Sequence, residues 1–260
     1  MIPLKDDIPT RRFPVLTVAI IVICCIVYFG FEGGLWTLGQ TGDERVLEYG
    51  AIPYEITHPG DDCAVASDGN VRCEGQPEVG GSMAPEQAPW YVTVFTSMFM
   101  HGSLLHLGGN MLFLWIFGNN IEDSMGRGRF VLFYLLGGLA ALLLQVVTDT
   151  SSSTIPTVGA SGAIAAVLGA YAVLYPRARV VTLIFIVIIF TVIQLPALLV
   201  LALWFALQLL PAFSEPFGAS GGGVAYFAHI GGFLFGMLLI KLFADNVHDD
   251  YEAPHRIPVY

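Results

Sequence analysis

The sequence predicts an all-α membrane protein: a bundle of six transmembrane helices with a long acidic loop after the first. Three observations carry this. Charged residues are 12% of the chain against 55% apolar, with mean hydropathy +0.69. A soluble domain carries roughly 25% charged residues, so this chain could not clothe its surface in polar groups. Second, apolar runs near the roughly 17–25 residues that cross a bilayer recur along it. Third, lysines and arginines collect in alternate connections. Together these exclude a fibrous protein, a disordered chain and a disulfide-stapled secreted module.

The elements follow in order. Residues 1–13 form a short tail. The first span runs from Pro14 to Phe31 behind Lys5, Arg11 and Arg12, and no small-residue cleavage site follows it, so it reads as a retained helix. Residues 32–91 are a polar loop, with eleven of the chain's 21 acidic residues between Glu32 and Glu86. That charge argues against nucleic acid as a partner. Residues 92–243 hold the remaining spans: Gly102 to Gly118, Phe130 to Val147, Val158 to Tyr175 ended by Pro176, and Val224 to Phe243. Between the last two, Val180 to Leu210 has no charge and is too long for one helix. Its β-branched first half is expected as a short interfacial or re-entrant element, and its Leu/Ala-rich second half as a span with Pro196 in its first turn. Residues 244–260 are a tail.

Six spans place both termini on one side, and the excess of Lys and Arg in cytoplasmic loops names that side. With the N-terminus inside, Lys5, Arg11, Arg12, Arg127, Arg129, Arg177, Arg179, Lys241 and Arg256 lie inside, and only Arg45 and Arg72 outside. The acidic loop then faces an oxidising compartment, where Cys63 and Cys73 are candidates for a disulfide, with two free thiols as the alternative. Cys24 and Cys25 read as packing residues of the first helix. The short tails and the lack of targeting signals fit a bacterial plasma membrane.

Polar groups inside spans are costly and point to function. Three entering helices carry them at one depth. His101 and His106 open the second span, with Asn110 one turn deeper than His106 and on its face. Ser161 stands three residues into the fourth span, and His229 five residues into the sixth. At about 1.5 Å per residue these groups share a layer below the outer surface. A serine hydroxyl is a weak nucleophile until a base takes its proton, and an imidazole can do so. Gly159 and Gly162 flank Ser161 closely enough for a substrate or backbone to approach, and they leave helix-start N–H groups free to face an oxyanion. Gly232 and Gly236 give the sixth span a small-residue face that allows close packing on the fourth. No carboxylate in the spans is placed to orient His229. Glu122 and Asp123 lie at the opposite end of the second span, where Glu122 is expected to cap or anchor a loop.

These pieces resemble the rhomboid family of intramembrane serine proteases: His101-x₄-His106-x₃-Asn110, Gly159-Ala160-Ser161-Gly162, Ala228-His229-x₂-Gly232-x₃-Gly236, and Gly118-x₃-Glu122-x₃-Gly126. The likeness covers roughly Thr93 to Phe243. It implies a six-helix core with a short serine-bearing central helix. It implies a Ser161–His229 dyad, and an oxyanion site made by Asn110, His106 and the Ser161 backbone. His101 would support them. It further implies cleavage of transmembrane protein substrates within or beside the bilayer, with no metal or cofactor, and a gate and cap formed by the fifth helix and the segment from Pro211 to Gly223. Two positions depart from the family pattern. Val92 and Thr93 stand where many members have Trp-Arg, and Ala165 stands where many carry an aromatic that stacks on the catalytic imidazole. A client-binding relative without catalysis would not need both Ser161 and His229. A transporter would carry polar groups through the whole depth of the membrane, whereas these cluster in one layer. No H-E-x-x-H occurs, and the histidines make no tetrahedral metal set. Substrate identity and oligomeric state are not written in these residues.

Overall fold

The computed structural model describes residues 1–33, 43–65, 71–75, 87–148, 154–186, 189–214 and 225–245. The chain opens with strand β1 (Ile2–Asp6) and helix α1 (Val15–Ile26), prolonged by a wider turn, Val27–Phe31. Short helices α2 (Asp43–Tyr49) and α3 (Pro53–Thr57) and the hairpin β2 (Cys63–Val65) and β3 (Val71–Cys73) form a small outer unit. Cys63 and Cys73 pair across that hairpin and are bonded, at the centre of a cluster with Leu47, Ile52 and Tyr54. Helix α4 (Trp90–Thr96) leads to α5 (Leu104–Phe113), which continues through Leu114–Gly118 into α6 (Asn119–Met125). Then come α7 (Arg127–Thr148), α8 (Ser161–Leu174), strands β4 (Arg179–Ile186) and β5 (Ile189–Pro196), α9 (Ala197–Ser214) and α10 (Tyr226–Phe243).

Among the described residues, two helices, α7 and α10, are long and apolar enough to cross a membrane, and shorter apolar helices over Val15–Phe31, Ser161–Leu174 and Ala197–Leu210 pack with them. The centre is α8. Every residue from Gly162 to Tyr171 is buried, as expected of a helix that is apolar all round. In lipid, apolar side chains gain little by meeting each other, so association relies on close fit and small residues. The α8–α10 seam is built that way. A Cβ on Gly232 would overlap the Gly162 carbonyl oxygen, and one on Gly236 would overlap that of Ala166. On the opposite side, a Cβ on Gly162 would lie 2.6 Å from Ala141 Cβ of α7.

One expectation is corrected, and another takes definite form. The fourth helix starts at Ser161, not Val158, because Gly159 adopts φ 134°, a conformation no helix continues through. The short element expected after Pro176 is β-structure: β4 and β5 pair as an antiparallel hairpin, and β1 adds to its edge to give the order β1-β4-β5. Branched side chains lose rotamer freedom in a helix and pack well on a pleated surface, and the N-terminal segment supplies the third strand.

The end of the bundle opposite Ser161 is fastened by polar contacts. Pro14 offers α1 no side-chain cap. Glu122 of α6 does so from another helix, accepting from Leu16 N (3.1 Å), Thr17 N (2.8 Å) and Thr17 Oγ1 (2.9 Å). Asp123 accepts from Arg11 N at 2.7 Å, and Arg129 pairs with Asp245. Asp6 Oδ2 accepts from Asn120 Nδ2 (2.6 Å) and from Tyr171 OH (2.7 Å), tying β1 to α6 and α8. The basic residues of the N-terminal segment, of the start of α7 and of the base of the hairpin therefore share one end of the molecule. The Cys63–Cys73 unit reaches the other end, where Ala51 pairs with Thr157. His248 and His255 lie outside the described residues, as does most of the segment expected to act as a cap.

Candidate active site

Ser161 is the first residue of α8, and the loop before it is held from two sides. Ala51 and Thr157 exchange backbone hydrogen bonds at 2.8 and 3.2 Å, and Gly159 N donates to Ser97 O at 2.8 Å. Gly159 must be glycine on two counts: its positive φ, and His106, whose ring would lie 2.8 Å from an added Cβ. Among the described residues no side chain caps α8, which leaves the N–H groups of its first turn without intrahelical partners at the site.

His229 reaches Ser161 because α10 lies backbone to backbone against α8. Its Nε2 is 2.7 Å from Ser161 Oγ, a short hydrogen bond in the range where a proton can pass between the two. The start of α10 is held by Gln145 of α7, whose Oε1 accepts from Ala228 N at 3.2 Å. A cavity of about 720 Å³ opens beside the pair, lined by Ser161, His229, His106, Asn110, Gly159 and Gly162, and walled on the far side by Trp204 and Gln208 of α9. Asn110 is buried, and its Nδ2 has no hydrogen-bond partner among the described residues. An orphaned buried donor is costly, and this one belongs to a side chain that lines the same space as the serine.

His101 sits elsewhere. It is fully buried behind His106, the two rings 5.2 Å apart and edge to face, and it does not line the cavity. Its backbone N–H is bound by both oxygens of Glu32 (3.1 and 3.2 Å), just past the end of α1. The structure thus gathers Ser161, His229, His106, Asn110, Gly159 and Gly162 around one space. It uses Gly232 and Gly236 for the seam beneath, and sets His101 and the Cys63–Cys73 pair apart.

Sequence reasoning overlooked three residues here. Gln208 Oε1 is 2.7 Å from His229 Nδ1, and the Trp204 ring centroid is 5.8 Å from that of His229. Both were detectable: Trp204 and Gln208 are one turn apart on a stretch otherwise wholly apolar, and a polar residue in such a stretch is the same signal that singled out His229. The family aromatic could not stand at Ala165, which is fully buried in the α8–α10 seam, 3.2 Å from where a Cβ on Gly232 would lie. Here the ring beside the imidazole comes from α9. The third, Glu32, sits where a charged residue closing an apolar run reads as a loop residue.

Comparison with known proteins points to one family. The mitochondrial rhomboid protein 1 of Saccharomyces cerevisiae is 29% identical over 155 residues, 56% of this chain and 40% of that protein. The human presenilin-associated rhomboid-like protein, also mitochondrial, is 36% identical over 84 residues, 32% of this chain and 22% of its own. The rhomboid protease GluP of Bacillus subtilis is 38% identical over 84 residues, 32% of this chain and 16% of its own. The match thus spans two fifths or less of each of these relatives. The mitochondrial names run against the expectation of a bacterial plasma membrane; what the relatives share is the membrane-embedded rhomboid domain. The family model for that domain matches residues 88–246, the stretch that carries the serine, both cavity-lining histidines and the asparagine, and the chain is a membrane protein of the rhomboid family.

Proposed function

We propose that the chain is an intramembrane serine endopeptidase that cleaves transmembrane protein substrates at the outer side of the bilayer. The 2.7 Å contact between His229 Nε2 and Ser161 Oγ carries this reading. In it, His229 takes the Ser161 proton as Oγ attacks the substrate carbonyl, and later delivers it to the leaving amine. The oxyanion is met by the Ser161 N–H, Asn110 Nδ2 and His106. Asn110 lines the cavity, and its buried Nδ2 has no partner among the described residues, which suits a group whose acceptor arrives only with substrate. The reading assigns six spans, both termini in the cytoplasm and the Cys63–Cys73 unit outside, supported by the gathering of basic residues at the end away from Ser161. It calls for no metal or cofactor.

The test is labelling of detergent-solubilised protein with a fluorophosphonate serine probe, in wild type, Ser161→Ala and His229→Ala. Wild type should label and both variants should not. A folded wild type that does not label would overturn the protease reading in favour of a rhomboid relative that binds membrane clients without cutting them.

A further inference from the structure

A histidine can serve as base toward Ser161 only if Nε2 carries the lone pair and Nδ1 the proton. Nothing in the imidazole itself selects that form. In a Ser-His-Asp arrangement a buried carboxylate selects it, and among the described residues no carboxylate reaches His229. The partner of Nδ1 is the side-chain amide of Gln208, with Oε1 at 2.7 Å.

An amide offers either an acceptor or a donor, depending on which way it is turned. Here its turn is decided by its own helix. Gln208 Nε2 lies 3.3 Å from the carbonyl oxygen of Trp204, one turn earlier, and donates to it. The flipped amide would set Oε1 against that carbonyl, two acceptors face to face, and would present N–H to Nδ1. Nδ1 would then have to accept, the ring proton would move to Nε2, and the ring would have no lone pair for the serine. Trp204 sets its own ring beside the imidazole, the centroids 5.8 Å apart and the planes tilted by 41°, and it packs on Phe233 of α10 at 6.1 Å.

We infer that Gln208 is the positioning residue of the site. Through Oε1 it holds His229 as the Nδ1–H tautomer, doing with a neutral amide on α9 what a carboxylate does in a triad. The inference rests on the Ser161–His229 reading for its consequence in catalysis, but the tautomer can be read without any turnover.

The experiment uses the full chain in detergent, as wild type, Gln208→Met and Gln208→Glu. Methionine matches the length and lacks the acceptor, whereas glutamate restores an oxygen at the same reach. In protein labelled with ¹⁵N-histidine, with the His229 signals assigned by their loss in His229→Ala, wild type should show a protonated Nδ1 and an unprotonated Nε2. Gln208→Met should lose that assignment and Gln208→Glu should keep it. The fluorophosphonate reaction rate should fall on the order of tenfold to a hundredfold in Gln208→Met, the scale of losing a partner that orients a histidine, and recover most of the way in Gln208→Glu. A merely structural role would lower both variants alike and leave the tautomer as it is. Gln208→Met with the wild-type rate and the wild-type ring signals would overturn the inference. Should that variant not fold, Gln208→Asn, one methylene too short to reach Nδ1, gives the same reading. If wild type itself fails to label, it is the dyad reading that falls, and the ¹⁵N signals still judge Gln208.

Discussion

In the proposed reaction, each polar side chain in the site answers a different demand. Ser161 stands at a helix start, where the proposal calls for a free N–H, and Gly159 precedes it because only glycine fits both φ 134° and the His106 ring. Asn110 is the sharpest case. Among the described residues its Nδ2 has no partner, so its removal should cost little stability but much reactivity. Asn110→Ala is expected to unfold within a few degrees of wild type while reacting on the order of 10²–10³ more slowly with the serine probe. Equal rates for the two proteins would remove Asn110 from the oxyanion site. The residues that sequence reasoning passed over, Gln208 and Trp204, are no less polar or aromatic than those it chose. Their signal was present, a polar and an aromatic residue one turn apart in an apolar stretch, but which group each would meet depends on what lies across a helix interface.

At the scale of elements, the α8–α10 seam decides whether the site exists. Its glycines bring the two backbones together, and His229 reaches Ser161 only at that separation. Gly232→Val should therefore drive the helices apart: the new side chain meets the Gly162 carbonyl, which is backbone and cannot give way. The variant should lose probe labelling and melt well below wild type. Gly108→Ala in α5, where an added Cβ has nothing within 4 Å, should label and melt like wild type. If Gly232→Val melts and labels like wild type, the seam is not what sets the distance. Helix α8 spans 14 residues, about 21 Å at about 1.5 Å per residue, against a hydrocarbon core about 30 Å thick. A helix that short leaves its first residue below the surface unless the whole element shifts. This matches the open cavity above Ser161. It was anticipated only from the family likeness, since the apolar run in the sequence continues past both ends of the helix.

For the whole molecule, the N-terminal segment acts as a strap across the end away from the site, running through β1, Arg11 and the Glu122-capped start of α1. Asp6 is its buried anchor. Burial pushes its carboxyl up to about 7, outweighing the lowering effect of the Tyr171 hydrogen bond. The folded value thus lies above the unfolded one of about 3.9, and the folded protein keeps a proton that the unfolded chain has released. Asp6 stabilises fully below about pH 4 and loses that contribution as pH rises through 7. The thermal midpoint of wild type should decline between pH 5 and 8, and Asp6→Asn, which keeps an acceptor for Asn120 and Tyr171, should flatten the decline. The same slope in both proteins would place the titrating group elsewhere.

The membrane class, the apolar runs, the segregation of basic residues and the candidate residues Ser161, His229 and Asn110, which the structure brings to one cavity, all follow from the order of amino acids. The cost of polar and charged groups in lipid writes them into composition and spacing. Glu122 was expected to cap or anchor a loop, and it caps the start of α1. Only the tertiary structure decided the rest: that the stretch after Pro176 forms the strands β4 and β5, that α8 begins at the serine, and that an amide and an indole from α9 lie beside the imidazole. Those outcomes depend on which backbone surfaces meet. A strand needs its partner's hydrogen bonds, and a tautomer needs its neighbour's atom, so neither exists until the chain has folded.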